Sequence, residues 1–344
     1  MAAQDPTNKL PRDVFIDEIF EAAQSNKNIY LLSADLGAKA LDRFRSLLKD
    51  QFFHVGISEQ NMMDVAAGLA QNGKLVYTYA MAPFVTMRCY EQIKVALASM
   101  NLPIVIIGNG VGYSYNDAGP THYATEDISC MRGLGGIEIL TPADTVSVLE
   151  TAKLTYRKPG FRYVRLDRAF LPTVYKADDK RFLDNGLVEI DQGKGTCILT
   201  CGYMIQKARQ VQAHLQKEGH LIGIIDVYRL KPISESILQS LLQGYDQIVT
   251  LEEHFLSGGL GGAIVEAMAD AQISKPTLRI GIKDHYFCEN GGRDYIHKLA
   301  GIDVETITEK ISRFLSHSPY RKNLVKKNGE PKDKSKKQKD LSFK

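Results

Sequence analysis

The residue with the most chemical promise is Glu59, in the stretch His54-Val-Gly-Ile-Ser-Glu-Gln-Asn-Met62. It follows a short apolar run (Phe52, Phe53, Val55) and opens an amphipathic pattern of Met62, Val65, Ala66 and Leu69 that stops at Gly73. That order predicts a strand, a turn and a helix with a carboxylate at its start. An acid in a first helical turn complements the helix dipole and needs no other role. An acid beside Ile57 under a helix that packs on a sheet is also expected to be poorly solvated. Burial raises a carboxyl pKa, and a carboxyl poised between protonation states suits acid–base chemistry.

The surrounding elements alternate. Helical patterns over 11–24, 85–99 and 144–154 separate apolar runs at 29–33, 52–55, 75–79, 104–107, 137–140 and 162–166. The second half repeats this with runs at 197–200, 222–227, 247–251 and 277–280. Strands alternating with helices imply an α/β fold with mostly parallel sheets covered on both faces. Two doubly wound, three-layer domains are expected: residues 1–175, a linker at 176–186, and residues 187–318, followed by a tail at 319–344. Ligands bind outside the carboxyl ends of parallel strands. In the first half those ends carry two acids, a histidine, aromatics and arginines. The second half looks structural. Its Ser257-Gly-Gly-Leu-Gly-Gly262 run is read as close helix–strand packing rather than an anion site.

Composition narrows the classes. Hydrophobic residues make up 44% and charged residues 24% of 344, as in ordinary soluble globular proteins. No secretory signal or membrane-length apolar run is visible, and the five scattered cysteines form no zinc or disulfide pattern, so a reduced, cytoplasmic protein is expected. The net charge of +3 hides a division. Residues 321–344 hold ten Lys/Arg and three Asp/Glu, which leaves the first 320 residues at −4. The tail is read as solvated chain; it lacks interleaved aromatics, so nucleic-acid binding is not expected.

Four segments in order, Ser33-Ala-Asp-Leu36, Gly56-Ile-Ser-Glu-Gln-Asn-Met62, Met81-Ala-Pro-Phe84 and Gly119-Pro-Thr-His122, resemble the pyrimidine-binding and C-terminal sections of the transketolase family. Thr250-Leu-Glu-Glu-His254 and its glycines extend the likeness to roughly residues 10–318. The resemblance implies thiamine diphosphate as cofactor and transfer of a two-carbon ketol unit between sugar phosphates. Glu59 would be the activating glutamate that hydrogen-bonds the aminopyrimidine, so that the cofactor can lose its thiazolium C2 proton and attack a ketose carbonyl. Phe84 would stack on the pyrimidine and Asp35 would lie beside the cofactor. His122 would serve proton transfer in the sugar channel. Arg12 and Arg168 would hold substrate phosphate. Lys39 stands where a phosphate-contacting serine is common, and it is taken as a substrate residue.

Two departures follow. Ala118 stands where the family commonly has an acid, and Asp117 lies one residue earlier, which leaves stereochemical preference open. The family's Gly-Asp-Gly diphosphate motif is absent from the sequence. The chain therefore resembles the second subunit of a split transketolase. A separate partner would carry the diphosphate and the Mg2+ or Ca2+ ligands, with no metal ligand expected on this chain, in an α2β2 assembly. Rival readings are the β subunit of a 2-oxo acid dehydrogenase first component, a transketolase for a nucleotide-linked or deoxy sugar, and a non-catalytic binding protein with a basic docking tail.

Overall fold

In the computed structural model, residues 9–35 and 37–317 are described; the basic tail and Leu36 lie outside them. The described residues form twelve strands: β1 (Ile29–Ser33), β2 (Phe52–His54), β3 (Leu75–Met81), β4 (Ile104–Asn109), β5 (Glu138–Leu140), β6 (Arg162–Leu166), β7 (Val188–Asp191), β8 (Gly195–Thr200), β9 (Ile222–Asp226), β10 (Arg229–Lys231), β11 (Tyr245–Phe255) and β12 (Thr277–Ile282). They build a seven-stranded sheet ordered β10-β5-β6-β4-β3-β1-β2 and a five-stranded sheet ordered β12-β11-β8-β9-β7. All pairings are parallel except β10 with β5 and β7 with β9.

Helices cover both faces of the sheet, so β4 is an apolar run buried along its length and β3 is buried up to Met81; β6 is buried too, but carries Arg162 and Arg165, which pair with Glu138 and Asp127. On one face the helix Pro11–Ser25, opened by a proline at its first position, packs with the helix Thr145–Arg157. On the other lie the helix Glu59–Gln71 and the segment 82–98. The sequence predicts one helix over 85–99 here. The segment is instead a short α-turn (Ala82–Thr86), a 3-10 turn (Met87–Cys89), a further α-turn and a π-turn (Ile93–Ala98). Thr86 Oγ1 donates back to the Ala82 carbonyl at 2.6 Å, a bond that competes with regular helix geometry.

Two features cross between the halves. The strand β10, late in the chain, closes the edge of the early sheet against β5. The core under the Glu59 helix runs on through Leu199, Ile225 and Leu238. The 176–186 stretch carries the helix Arg181–Asn185, with Phe182 buried against Tyr175 and Tyr228. None of the described helices is long and apolar enough to cross a membrane.

Candidate active site

The order of the larger sheet places β1 beside β3, where the winding direction reverses, and such a switch point opens a crevice at the strands' carboxyl ends. Asp35 leaves β1 there, and its Oδ1 accepts from the Gly37 N–H at 2.9 Å. Tyr79 lies near the end of β3 at the same level, with its buried hydroxyl beside Arg12 and Asp35. Burial raises the Tyr79 pKa, and the Arg12 charge offsets this only in part. No described group meets that hydroxyl with hydrogen-bond geometry. Arg12 donates from Nε to Asp13 at 2.8 Å.

Glu59 begins the helix Glu59–Gln71 and is only 2% exposed, as the sequence leads one to expect. The covering residues differ. Ile57 is 70% exposed and shields nothing, while Val65 faces outward. The buried stripe is Met62, Met63, Ala66, Ala67 and Ala70. The Glu59 carboxylate instead meets Arg88, whose Nη1 donates to Oε2 at 2.8 Å. The Arg88 guanidinium also lies 4.1 Å from the centre of the Phe84 ring. Burial, together with the Glu59 charge, pushes the neighbouring Cys89 thiol up to about 12, so it stays protonated.

From Phe84 the contacts continue. The His122 ring meets Phe84 edge-on at 5.1 Å and lies 5.6 Å from Tyr115. Thr121 Oγ1 is 2.9 Å from His122 Nδ1. Asn109 Nδ2 donates to the Tyr115 hydroxyl at 3.2 Å, and the Arg168 guanidinium covers the Tyr115 ring at 3.9 Å. The ring lies so close over Gly110 (φ +81°) that a Cβ there would fall 2.0 Å from it. Burial raises the Tyr115 pKa, opposed by Arg168. Glu59, Arg88, Phe84, His122, Tyr115 and Arg168 thus form one chain of contacts, and Asp35, Tyr79 and Arg12 lie near enough to Tyr115 to interact with it electrostatically.

Two expected substrate residues lie at or beyond the edge of these contacts. The Asp117 side chain is 76% exposed, and its ion-pair partner among the described residues is Arg168, at 3.8 Å. Lys39 is exposed at the start of a 3-10 turn, and no ion pair among the described residues holds it. Sequence reasoning missed Tyr79, Arg88 and Tyr115. Tyr79 is visible in the sequence as the last residue of an apolar run. Arg88 sits four residues after Phe84, the spacing that brings two side chains onto one helix face.

Behind Arg168 the two sheets meet through buried charge. Arg293 donates to both Asp167 oxygens, at 3.0 and 2.8 Å, and from Nε to Glu253 at 2.8 Å; Glu253 also pairs with His297. Arg165 grips Asp127 at 2.7 and 3.1 Å. Burial alone would raise the Asp127 pKa, but Arg165 outweighs it and the net shift is downward. Burial lowers His254 to about 4; it is neutral, accepting from Ser129 N–H and donating from Nδ1 to the Phe255 carbonyl. Glu252 Oε1 accepts from Gly261 N–H at 3.0 Å, while Oε2 has no described partner, and burial raises this carboxyl to about 7. A Cβ at Gly259, Gly261 or Gly281 would strike Glu252, which supports the packing reading of the glycine run.

Paired parallel sheets meeting at their carboxyl ends, with a buried acid at a helix start in the crevice, define a class of two-domain α/β enzyme. The family assignment comes from likeness to known proteins. Residues 11–173 match the transketolase pyrimidine-binding domain and residues 186–307 the transketolase C-terminal domain. A transketolase C-terminal section from Methanocaldococcus jannaschii is 30% identical over 86% of this chain and 93% of its own length. One subunit of the apulose-4-phosphate transketolase of Phocaeicola vulgatus is 31% identical over 88% of this chain and 97% of its own. A solved split-gene transketolase, described as an inactive β4 tetramer, superposes with a TM-score of 0.79 at 28% identity, covering 89% of this chain and 98% of that one. The chain belongs to the transketolase family and spans that family's pyrimidine-binding and C-terminal domains.

That family implies thiamine diphosphate, and the residues present fit its aminopyrimidine end. Glu59 is buried, and Arg88 engages one carboxylate oxygen, leaving the other without a described partner. Phe84 stands half-buried beside them. Among the described residues no three His, Cys, Asp or Glu side chains are grouped to hold a metal ion.

Proposed function

We propose that this chain supplies the pyrimidine half of a thiamine-diphosphate-dependent transketolase that moves a two-carbon ketol unit between sugar phosphates. The observation that carries the reading is the buried carboxylate of Glu59 at the switch-point crevice, linked through Arg88 to Phe84 and His122. When bound, the cofactor supplies a carbon nucleophile that cleaves and remakes the ketose carbon–carbon bond. Glu59 holds the aminopyrimidine by a hydrogen bond to a ring nitrogen and exchanges a proton there. Phe84 gives the ring a face to lie on, and Asp35 closes the crevice on the β1 side. His122 moves protons at substrate hydroxyls, and Arg12 and Arg168 hold the phosphate. Lys39, at the surface, suits a substrate phosphate, and Asp117, beside Arg168, suits a substrate hydroxyl. The relative named for apulose 4-phosphate supports a phosphorylated substrate.

A partner subunit completes the site with the diphosphate and Mg2+ or Ca2+ ligands, in an α2β2 assembly. The test is Glu59→Gln in the assembled enzyme. Turnover is expected to drop by roughly 10²–10⁴-fold with an unchanged circular dichroism spectrum; a near-normal rate removes Glu59 from the chemistry.

A further inference from the structure

The geometry points to Arg88 as a positioning residue that aims Glu59 and fixes Phe84 at the same time. This rests on the reading of Glu59 as the acid that meets the cofactor. Arg88 is the one described hydrogen-bond partner of the Glu59 carboxylate, at 2.8 Å to Oε2, across twenty-nine residues of sequence. Its side chain is 41% exposed, against 2% for Glu59. The guanidinium therefore keeps part of its hydration while one N–H reaches inward, which lowers the cost of the pairing relative to a fully buried one.

A carboxylate with no partner can rotate about its last bond and present either oxygen. Once Oε2 is held, Oε1 has a single direction. Proton exchange with a ring nitrogen demands that direction, because a displacement of about 1 Å can cost roughly a hundredfold in rate. The second contact is independent of the first. The same guanidinium lies 4.1 Å over Phe84 and restrains the ring that would face the pyrimidine. The break in the helix serves both contacts. The 3-10 turn Met87–Cys89 carries Arg88 at its centre, immediately after the α-turn that carries Phe84. Lysine could replace the hydrogen bond but not the planar cover.

A merely structural arginine would stabilise the fold and leave the cofactor chemistry of each folded site intact. Three variants, Arg88→Ala, Arg88→Lys and Glu59→Gln, should be assembled with the diphosphate-half partner, thiamine diphosphate and Mg2+. Cofactor affinity is read by calorimetry, and exchange of the thiazolium C2 proton for deuterium is followed by NMR without any sugar present. The expected result is C2 exchange slowed roughly ten- to a hundredfold per bound site in Arg88→Ala, a smaller loss of affinity, and partial recovery in Arg88→Lys. Wild-type exchange in Arg88→Ala, with Glu59→Gln abolishing it, overturns the role of Arg88 and leaves that of Glu59 standing. Normal exchange in Glu59→Gln, or an assembly that binds no cofactor, overturns both. Failure of both Arg88 variants to assemble makes Arg88 structural and overturns the inference.

Discussion

At the scale of single residues, the site is a run of rings and charges in which each member is fixed by the next. His122 is held between Phe84 and Tyr115, and Tyr115 is held by Asn109, Gly110 and Arg168. Proton transfer by a positioned histidine contributes roughly 10²–10⁴-fold. His122→Ala is expected to lower turnover within that range while leaving cofactor affinity near normal; comparing kcat with the calorimetric Kd checks this. Motif spacing makes Glu59, Phe84 and His122 legible, because each sits directly after a strand or in a short recognisable string. Tyr115 and Tyr79 are not legible as site residues. Their importance depends on which strands lie side by side, and strand order is not written in any local pattern.

At the scale of elements, helix boundaries with side-chain caps are the most readable. Thr141-Pro-Ala-Asp144 announces a helix start, and Asp144 forms a capping box with Ser147. Asp144 does more than cap. Its Oδ1 accepts from Ser147 N–H at 2.7 Å, and its Oδ2 accepts from Val174 and Tyr175 N–H at 2.7 and 2.8 Å. It therefore ties the chain that leaves the first sheet to the helix Thr145–Arg157. Asp144→Ala strands three backbone donors, two of them on buried residues. Urea unfolding is expected to show a loss of about 3–5 kcal/mol, above the ~1 kcal/mol of an ordinary cap. The broken segment 82–98 is not readable, since its composition is that of a plain helix. There the Thr86 hydroxyl bonds back to the Ala82 carbonyl just before the helix gives way to a 3-10 turn.

At the scale of the whole molecule, the second half is more than a scaffold. Glu252 has no described partner for one oxygen and is raised from the ordinary 4.5 to about 7 by burial. The folded protein thus holds this proton more tightly than the unfolded chain does. Its contribution to stability is full below about pH 4.5 and is lost as pH rises through about 7. Glu252→Gln keeps an acceptor for Gly261 N–H and removes the titration. The variant is expected to gain up to about 3 kcal/mol over the parent between pH 5 and pH 8. Thermal unfolding of the two chains across that range checks it, and parallel pH profiles would refute it.

The closure of the early sheet by β10 also has a temporal side. The strand β5 ends at Leu140, but its antiparallel neighbour is not complete until Lys231, about ninety residues later. At roughly 5–20 residues per second the ribosome needs about 5–20 s to deliver it. During that interval the outer edge of the short strand β5 lacks its partner, and open strand edges recruit other chains. Until β10 arrives the β5 edge stays open, so a chain cut before Arg229 is expected to self-associate more than the full chain, which light scattering would check.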